Sequence, residues 1–176
     1  MTQDTTDSAV GERVKTVLDG LGVPFEIMTI DPAFADTAQF CEKYGIPLDQ
    51  SANTIIVASK KEPKQYCACL VLATTRLDVN HAVKKLMNTS RVSFAGADET
   101  AALTGQRIGG VTVFALPETL PIYVDARVMT PAWIIVGGGG RSTKVRLAPD
   151  VLRRLPNVSV VEGLAGDHVT ATGGQG

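Results

Sequence analysis

Between Asn53 and Ala73 the chain reads N-T-I-I-V-A-S, then K-K-E-P-K-Q, then an apolar return from Tyr66 to Ala73. β-Branched residues fill the first run and a polar, Pro-containing turn separates it from the second, which predicts a β-hairpin. Both runs are continuously apolar. A strand with one wet face alternates apolar and polar residues, whereas a strand covered on both faces does not. The hairpin is therefore expected at the centre of the molecule with structure packed on each side. At 176 residues the chain is long enough to supply those layers within one domain.

The flanking segments supply them. Val10, Val14, Val17, Leu18 and Leu21 recur at helical spacing, so residues 8–22 predict a helix ended by Gly20, Gly22 and Pro24. Phe25–Ile30 reads as a short strand. A second helix is expected over 34–44, with Phe40, Cys41 and Tyr44 inward and Gly45 as its stop. Asp78 can cap a helix from Val79 to Met87 whose inner face would be Val79, Val83, Leu86 and Met87. Further strands are expected at 91–94, 111–115, 121–128, 132–136, 143–147 and 157–161. Short helices are expected at 98–103 and 149–155. No regular βαβ rhythm appears. The fold class that follows is α+β, a single domain with a mixed, curved sheet or partial barrel and surrounding short helices. The domain is expected over 8–164, with 165–176 a disordered tail.

Charge and cysteine usage narrow the setting. Apolar residues make up 44% and charged residues 20%, as in soluble globular chains. The polar, acidic opening M-T-Q-D-T-T-D-S is unlike a secretory or transit leader, and no apolar run is long enough to span a membrane. Three cysteines without framework spacing suit reduced thiols, so a cytoplasmic location is expected. The net charge of −1 hides an asymmetry, because residues 60–91 hold seven basic side chains against two acidic ones. Such an excess reads either as a polyanion footprint or as a solvated Lys-rich turn and helix face.

Familiar catalytic signatures are absent. Cys67 and Cys69 share one strand face but lack further ligands at metal spacing, so they read as small buried hydrophobes. His81 and His168 have no Ser or Cys partner in a motif. The run Gly137–Gly140 followed by R-S-T-K fails as a phosphate loop, since Lys144 follows Thr143 and enters a strand. It reads as a loop between strands whose bare backbone could wall a pocket. Gly109-Gly110 reads as a turn or bulge, or as a loop presenting N–H groups to an anion or carbonyl.

Taken in order, V-K-T-V-L-x-x-L-G-V-P-F-E, N-T-I-I-V, L-D-V-N-H-A-V-K-K, E-T-A-A-L-T-G-x-x-I-G-G-V-T, Y-V-D-A-R-V, G-G-G-G-R and R-L-A-P-D-V-L resemble the YbaK/ProX family of aminoacyl-tRNA deacylase domains. The resemblance implies a trans-editing hydrolase that cuts the ester joining a wrong amino acid to tRNA. It implies no metal, no cofactor and no protein nucleophile, with water attack assisted by the substrate itself. The implied partners are aminoacyl-tRNA and an aminoacyl-tRNA synthetase, with neither membrane nor DNA.

Carried over by position, the resemblance puts Asn53 where the family has a Lys, and Thr54 at its usual Thr. The glycine motif becomes Gly109, Gly110, Val111, Thr112 and Val113, with Val113 in place of Pro, and Ala115 stands where a Gly is common. Asp125 matches a strand Asp. Asn53, Gly109 and Gly110 are thereby the catalytic candidates. Thr54, Val111, Thr112, Val113 and Gly137, Gly138 and Gly139 are the substrate-binding ones. Lys60, Lys61, Lys64, Lys84 and Lys85 are the tRNA-binding candidates. Replacing an ammonium by an amide weakens the donor, because charge-assisted hydrogen bonds are about twice as strong as neutral ones. Two functions follow: a deacylase with altered activity, or a module of the same fold that binds aminoacyl-tRNA or a small ligand without turnover.

Overall fold

The computed structural model describes residues 2–108 and 110–167, opening with helix α1 (Thr2–Leu21) and strand β1 (Phe25–Thr29). A 3-10 turn at Pro32–Phe34 leads into α2 (Thr37–Tyr44), so the expected second helix is split in two. Asp31 and Asp36 each cap one piece from an extended backbone. The hairpin is β2 (Ala52–Ser59) and β3 (Tyr66–Leu72), followed by β4 (Thr75–Leu77). A π-turn at Val79–Val83 runs into α3 (Lys84–Met87), then come β5 (Val92–Phe94) and α4 (Ala97–Thr104). Strands β6 (Ile122–Asp125), β7 (Ile134–Gly137), β8 (Thr143–Leu147), β9 (Val158–Val161) and β10 (Ala165–Asp167) complete the chain. Gly45 (φ 69°) and Gly105 (φ 72°) end α2 and α4 in the left-handed conformation expected of glycine stops.

Five strands form a mixed sheet in the order β5-β2-β3-β6-β9, and three form an antiparallel sheet, β1-β8-β7. A parallel bridge between Ser51 and Ile135 links the two, but they do not close into a barrel among the described residues. The central hairpin is buried on both faces. From β3, Ala68, Leu70 and Leu72 pack into one core with α1 and β7, while Cys67, Cys69 and Val71 pack into a second with Val83 and Leu164. At roughly 1.5–3 kcal/mol for each large apolar side chain, burial on two faces makes this hairpin a main source of the fold's stability. A third cluster lies under α2, where Phe40 and Cys41 cover Ile135.

Several local expectations are corrected. Residues 111–115 form no strand. Gln106 takes the Thr112 N–H and carbonyl, and Val113–Ala115 turn into a 3-10 helix capped by the Thr112 hydroxyl. Leu86 is 36% exposed rather than inward, because the π-turn shifts the helical phase so that Val83 and Met87 face the core. The strand expected over 121–128 stops at Asp125 and becomes a 3-10 turn, and residues 149–154 are 3-10 rather than α. Ala165–Asp167 is not a disordered tail: it pairs with β4, and Asp125 Oδ1 accepts from the Ala165 N–H at 3.3 Å. Gly109 and His168 lie outside the described residues.

Candidate functional site

One edge of β2 has no strand neighbour over a short stretch among the described residues. At its start Ser51 bridges to Ile135 of β7, and pairing with β5 begins only at Val57. In the opening between these contacts lies a cavity of about 280 Å³. Asn53 and Thr54 line it from β2, Asp36 and Thr37 from the start of α2, Val111 from the glycine loop, and Gly137 and Lys144 from β7 and β8. The Thr37 hydroxyl donates to Asn53 Oδ1, which ties α2 to the strand edge. Thr54 Oγ1 is buried without a hydrogen-bond partner. An unmet buried hydroxyl costs about 1–3 kcal/mol and marks a place where a polar ligand could bind.

The glycines here do backbone work. A Cβ on Gly110 would stand 2.1 Å from Gly140 O, and one on Gly137 would stand 2.5 Å from Val111 O. The two glycine turns therefore touch main chain to main chain, with Gly139 N–H bonded to Gly110 O at 2.7 Å. Gly110 N–H donates to Arg107 O at 3.0 Å and Thr112 N–H to Gln106 Oε1 at 2.7 Å, so both donors already have partners inside the loop. Arg141 braces the rim, reaching Asp36 Oδ1, Ile108 O and Pro32 O, each at 3.3 Å.

Of the residues singled out from the sequence, the cavity thus brings together Asn53, Thr54, Val111 and Gly137. Thr112 is wholly buried behind its wall. Val113, itself buried, lines instead a groove of about 850 Å³ beside Val17, Leu103 and Leu155, away from Asn53 and Thr54. Gly138 faces a cleft beside α1, and a Cβ on Gly139 would meet Val10 at 2.3 Å. Among the five lysines, Lys61, Lys84 and Lys85 share a cleft of about 520 Å³ with His81 and Asn88. Lys64 reaches Glu99 at 3.5 Å, and Lys60 is exposed outside that cleft. Along β2 the lysine cleft lies about 20 Å from Asn53, at ~3.3 Å per residue.

The sequence reading passed over Thr37, Asp36 and Lys144. Lys144 is 7% exposed, sits 5.2 Å over the Phe40 ring and donates to Ala35 O at 2.8 Å. Burial lowers its pKa to about 8, against the opposing pull of Cys41 and Asp36. Its strand, T-K-V-R-L, alternates as a half-wet strand would, so nothing local marked it as buried; α2 covers it from a distant part of the chain. No group of three His, Cys, Asp or Glu able to hold a metal occurs among the described residues. Polar side chains of several kinds around a small cavity suit binding and polarising a carbonyl-bearing ligand.

Comparison with known proteins bears on the fold that carries this cavity. The family model of the aminoacyl-tRNA editing domain matches residues 31–155. The crystal structure of the hypothetical protein APE2540 superposes with a TM-score of 0.77 at 22% identity, covering 87% of this chain and 99% of that one. That of a candidate trans-editing enzyme for prolyl tRNA synthetase gives 0.76 at 21% identity, covering 90% and 98%. At such identities the structural likeness speaks for the fold.

Proposed function

Since the chain belongs to the family of aminoacyl-tRNA editing domains, we propose that it hydrolyses the ester of a mischarged tRNA. The observation that carries the reading is the cavity at the open edge of β2, where Asn53 and the unpartnered Thr54 hydroxyl meet the glycine wall. The 3′-terminal adenosine and its ester would enter beside Asn53 and Thr54, with Val111 and Gly137 bounding the amino-acid side chain. Water would add to the ester carbonyl carbon, the carbonyl π pair moving onto oxygen. Collapse would then release the amino acid and return the proton to the departing 3′ oxygen. As the family resemblance implies, groups of the substrate would orient that water.

Lys61, Lys84 and Lys85 would hold phosphates further along the acceptor strand, where each cation displaces condensed counterions. Aminoacyl-tRNA is then the macromolecular partner, a synthetase is the natural supplier of the mischarged species, and the cytoplasm is the place where the two meet. No described helix is long and apolar enough to cross a membrane.

The reading is tested by deacylation assays against a panel of mischarged tRNAs. Hydrolysis of at least one ester, faster than its spontaneous loss, is expected. If every ester survives while tRNA still binds, the enzyme reading fails and a binding module remains. One observation favours that second reading: the Asn53 acceptor and the Gly110 and Thr112 N–H groups already have internal partners.

A further inference from the structure

An ester carbonyl under attack becomes an oxyanion, and the largest catalytic gains come from donors already aimed at that charge in a site shielded from water. The neutral side chains of Asn53 and Thr54 can donate to it, but more weakly than a cation does. Among the described residues lining the cavity, Lys144 is the single cation. Its ammonium has three donors, and the described structure gives it one acceptor, Ala35 O, with no carboxylate in salt-bridge contact. It arrives from β8, opposite Gly137 of β7, under the covering α2. A buried cation with donors to spare, lining the same cavity as an unmet Thr54 hydroxyl, is a poor structural device. It is a good receptor for a polar group that develops negative charge.

We propose that Lys144 is the electrophilic catalytic residue of this cavity, donating to the carbonyl oxygen of the bound ester as it becomes an oxyanion. The assignment rests on the ester-hydrolase reading above. In the step itself the C–O bond to water forms as the carbonyl π pair shifts to oxygen beside the ammonium. The pair then returns as the bond to the 3′ oxygen breaks, so Lys144 keeps its proton throughout. The competing role is structural, a side chain that merely pins Ala35.

The test uses the full chain and three variants: Lys144→Met, Lys144→Arg, and Lys144→Met combined with Asn53→Lys, which moves the charge across the cavity. Two non-hydrolysable probes accompany them, a neutral 3′-aminoacylamido-adenosine and the matching anionic aminoalkylphosphonate ester. Both are built on the amino acid that the tRNA panel selects, or on alanine if it selects none. Lys144→Met is expected to lower the single-turnover rate by about 10²–10³-fold. It should also abolish the wild-type preference for phosphonate over amide, with Lys144→Arg keeping part of both and the relocated charge restoring part of the rate. In the unmodified protein, phosphonate affinity should fall as pH rises through about 8 while amide affinity holds, a measurement that needs no variant to fold. Equal loss of both probes in Lys144→Met, or a flat pH dependence, overturns the assignment in favour of the structural role. Hydrolysis that does not depend on Lys144 sinks this proposal and leaves the function standing. A Lys144-dependent phosphonate preference without hydrolysis does the reverse.

Discussion

Lys144 holds its charge where water is largely excluded, and that has a thermodynamic signature separate from catalysis. Its pKa falls from 10.5 to about 8 on folding, chiefly through desolvation. Below pH 8 both states carry the proton and the folded state bears the whole penalty, about 3 kcal/mol at 1.36 kcal/mol per unit. Between pH 8 and 10.5 the unfolded chain binds more protons than the folded one, so this contribution to stability rises with pH. Cys41 and Tyr123, held above their ordinary values by burial, and Tyr66, held up by its hydrogen bond to Glu99, act in the opposite sense at alkaline pH. The difference between variant and parent cancels the tyrosines and leaves the lysine together with its pull on Cys41. Lys144→Met should be more stable than the parent at pH 7, by up to about 3 kcal/mol in urea denaturation, and the advantage should shrink toward pH 10.5. Little of this residue-level picture was legible in the sequence. Asn53 and Thr54 could be found because they stand in a run whose pattern is local. Lys144, Thr37 and Asp36 could not, because Asp36 and Thr37 open α2 while Lys144 stands on β8, far along the chain, and only the fold brings them to one cavity.

At the scale of elements, the loop from Gln106 to Ala115 shows why turn signals were read well and its apolar run was not. Gly45, Gly105 and Pro24 act through their own backbones, so their effects survive without context. The run V-T-V-F-A had the composition of a strand, but a strand needs a neighbour to receive its hydrogen bonds. Gln106 receives them instead: its amide accepts from Thr112 N–H at 2.7 Å and donates to Thr112 O and Ala115 O at 3.2 Å. Buried at 1% exposure, it substitutes for a partner strand. Gln106→Leu would keep the volume and leave the Thr112 N–H and carbonyl unmet, while Ala115 O keeps its bond from Arg13. A loss of at least about 2 kcal/mol is expected in chemical denaturation, since each unmet buried group costs about 1–3 kcal/mol. The hairpin itself was fully legible, because continuous apolarity in two adjacent runs has few other solutions.

Over the whole molecule, the doubly covered hairpin acts as a spacer between two chemically different ends. The cavity opens beside Asn53, and the lysine cleft lies near Ser59, Lys84 and Lys85. The basic excess in residues 60–91 was visible in the sequence; which of its members converge was not, since Lys64 turns toward Glu99 while Lys61 joins the cleft. Replacing both Lys84 and Lys85 by Ala should weaken tRNA binding and reduce the slope of log affinity against log salt by about 1.5, at roughly 0.7–0.9 per phosphate contact. An unchanged slope would remove these lysines from the nucleic-acid surface. The glycine wall, finally, limits how such a protein could be redesigned or could diverge. Gly110 and Gly137 meet opposing main chain so closely that no side chain fits, and a backbone cannot swing aside as a rotamer can. That wall has a fixed position. Under the proposed function, a change in the amino acid admitted would have to come from lining positions such as Ile55, Ile108 or Thr37, where a side chain sets the shape. Selectivity in this scaffold would then be tuned around a wall that does not move.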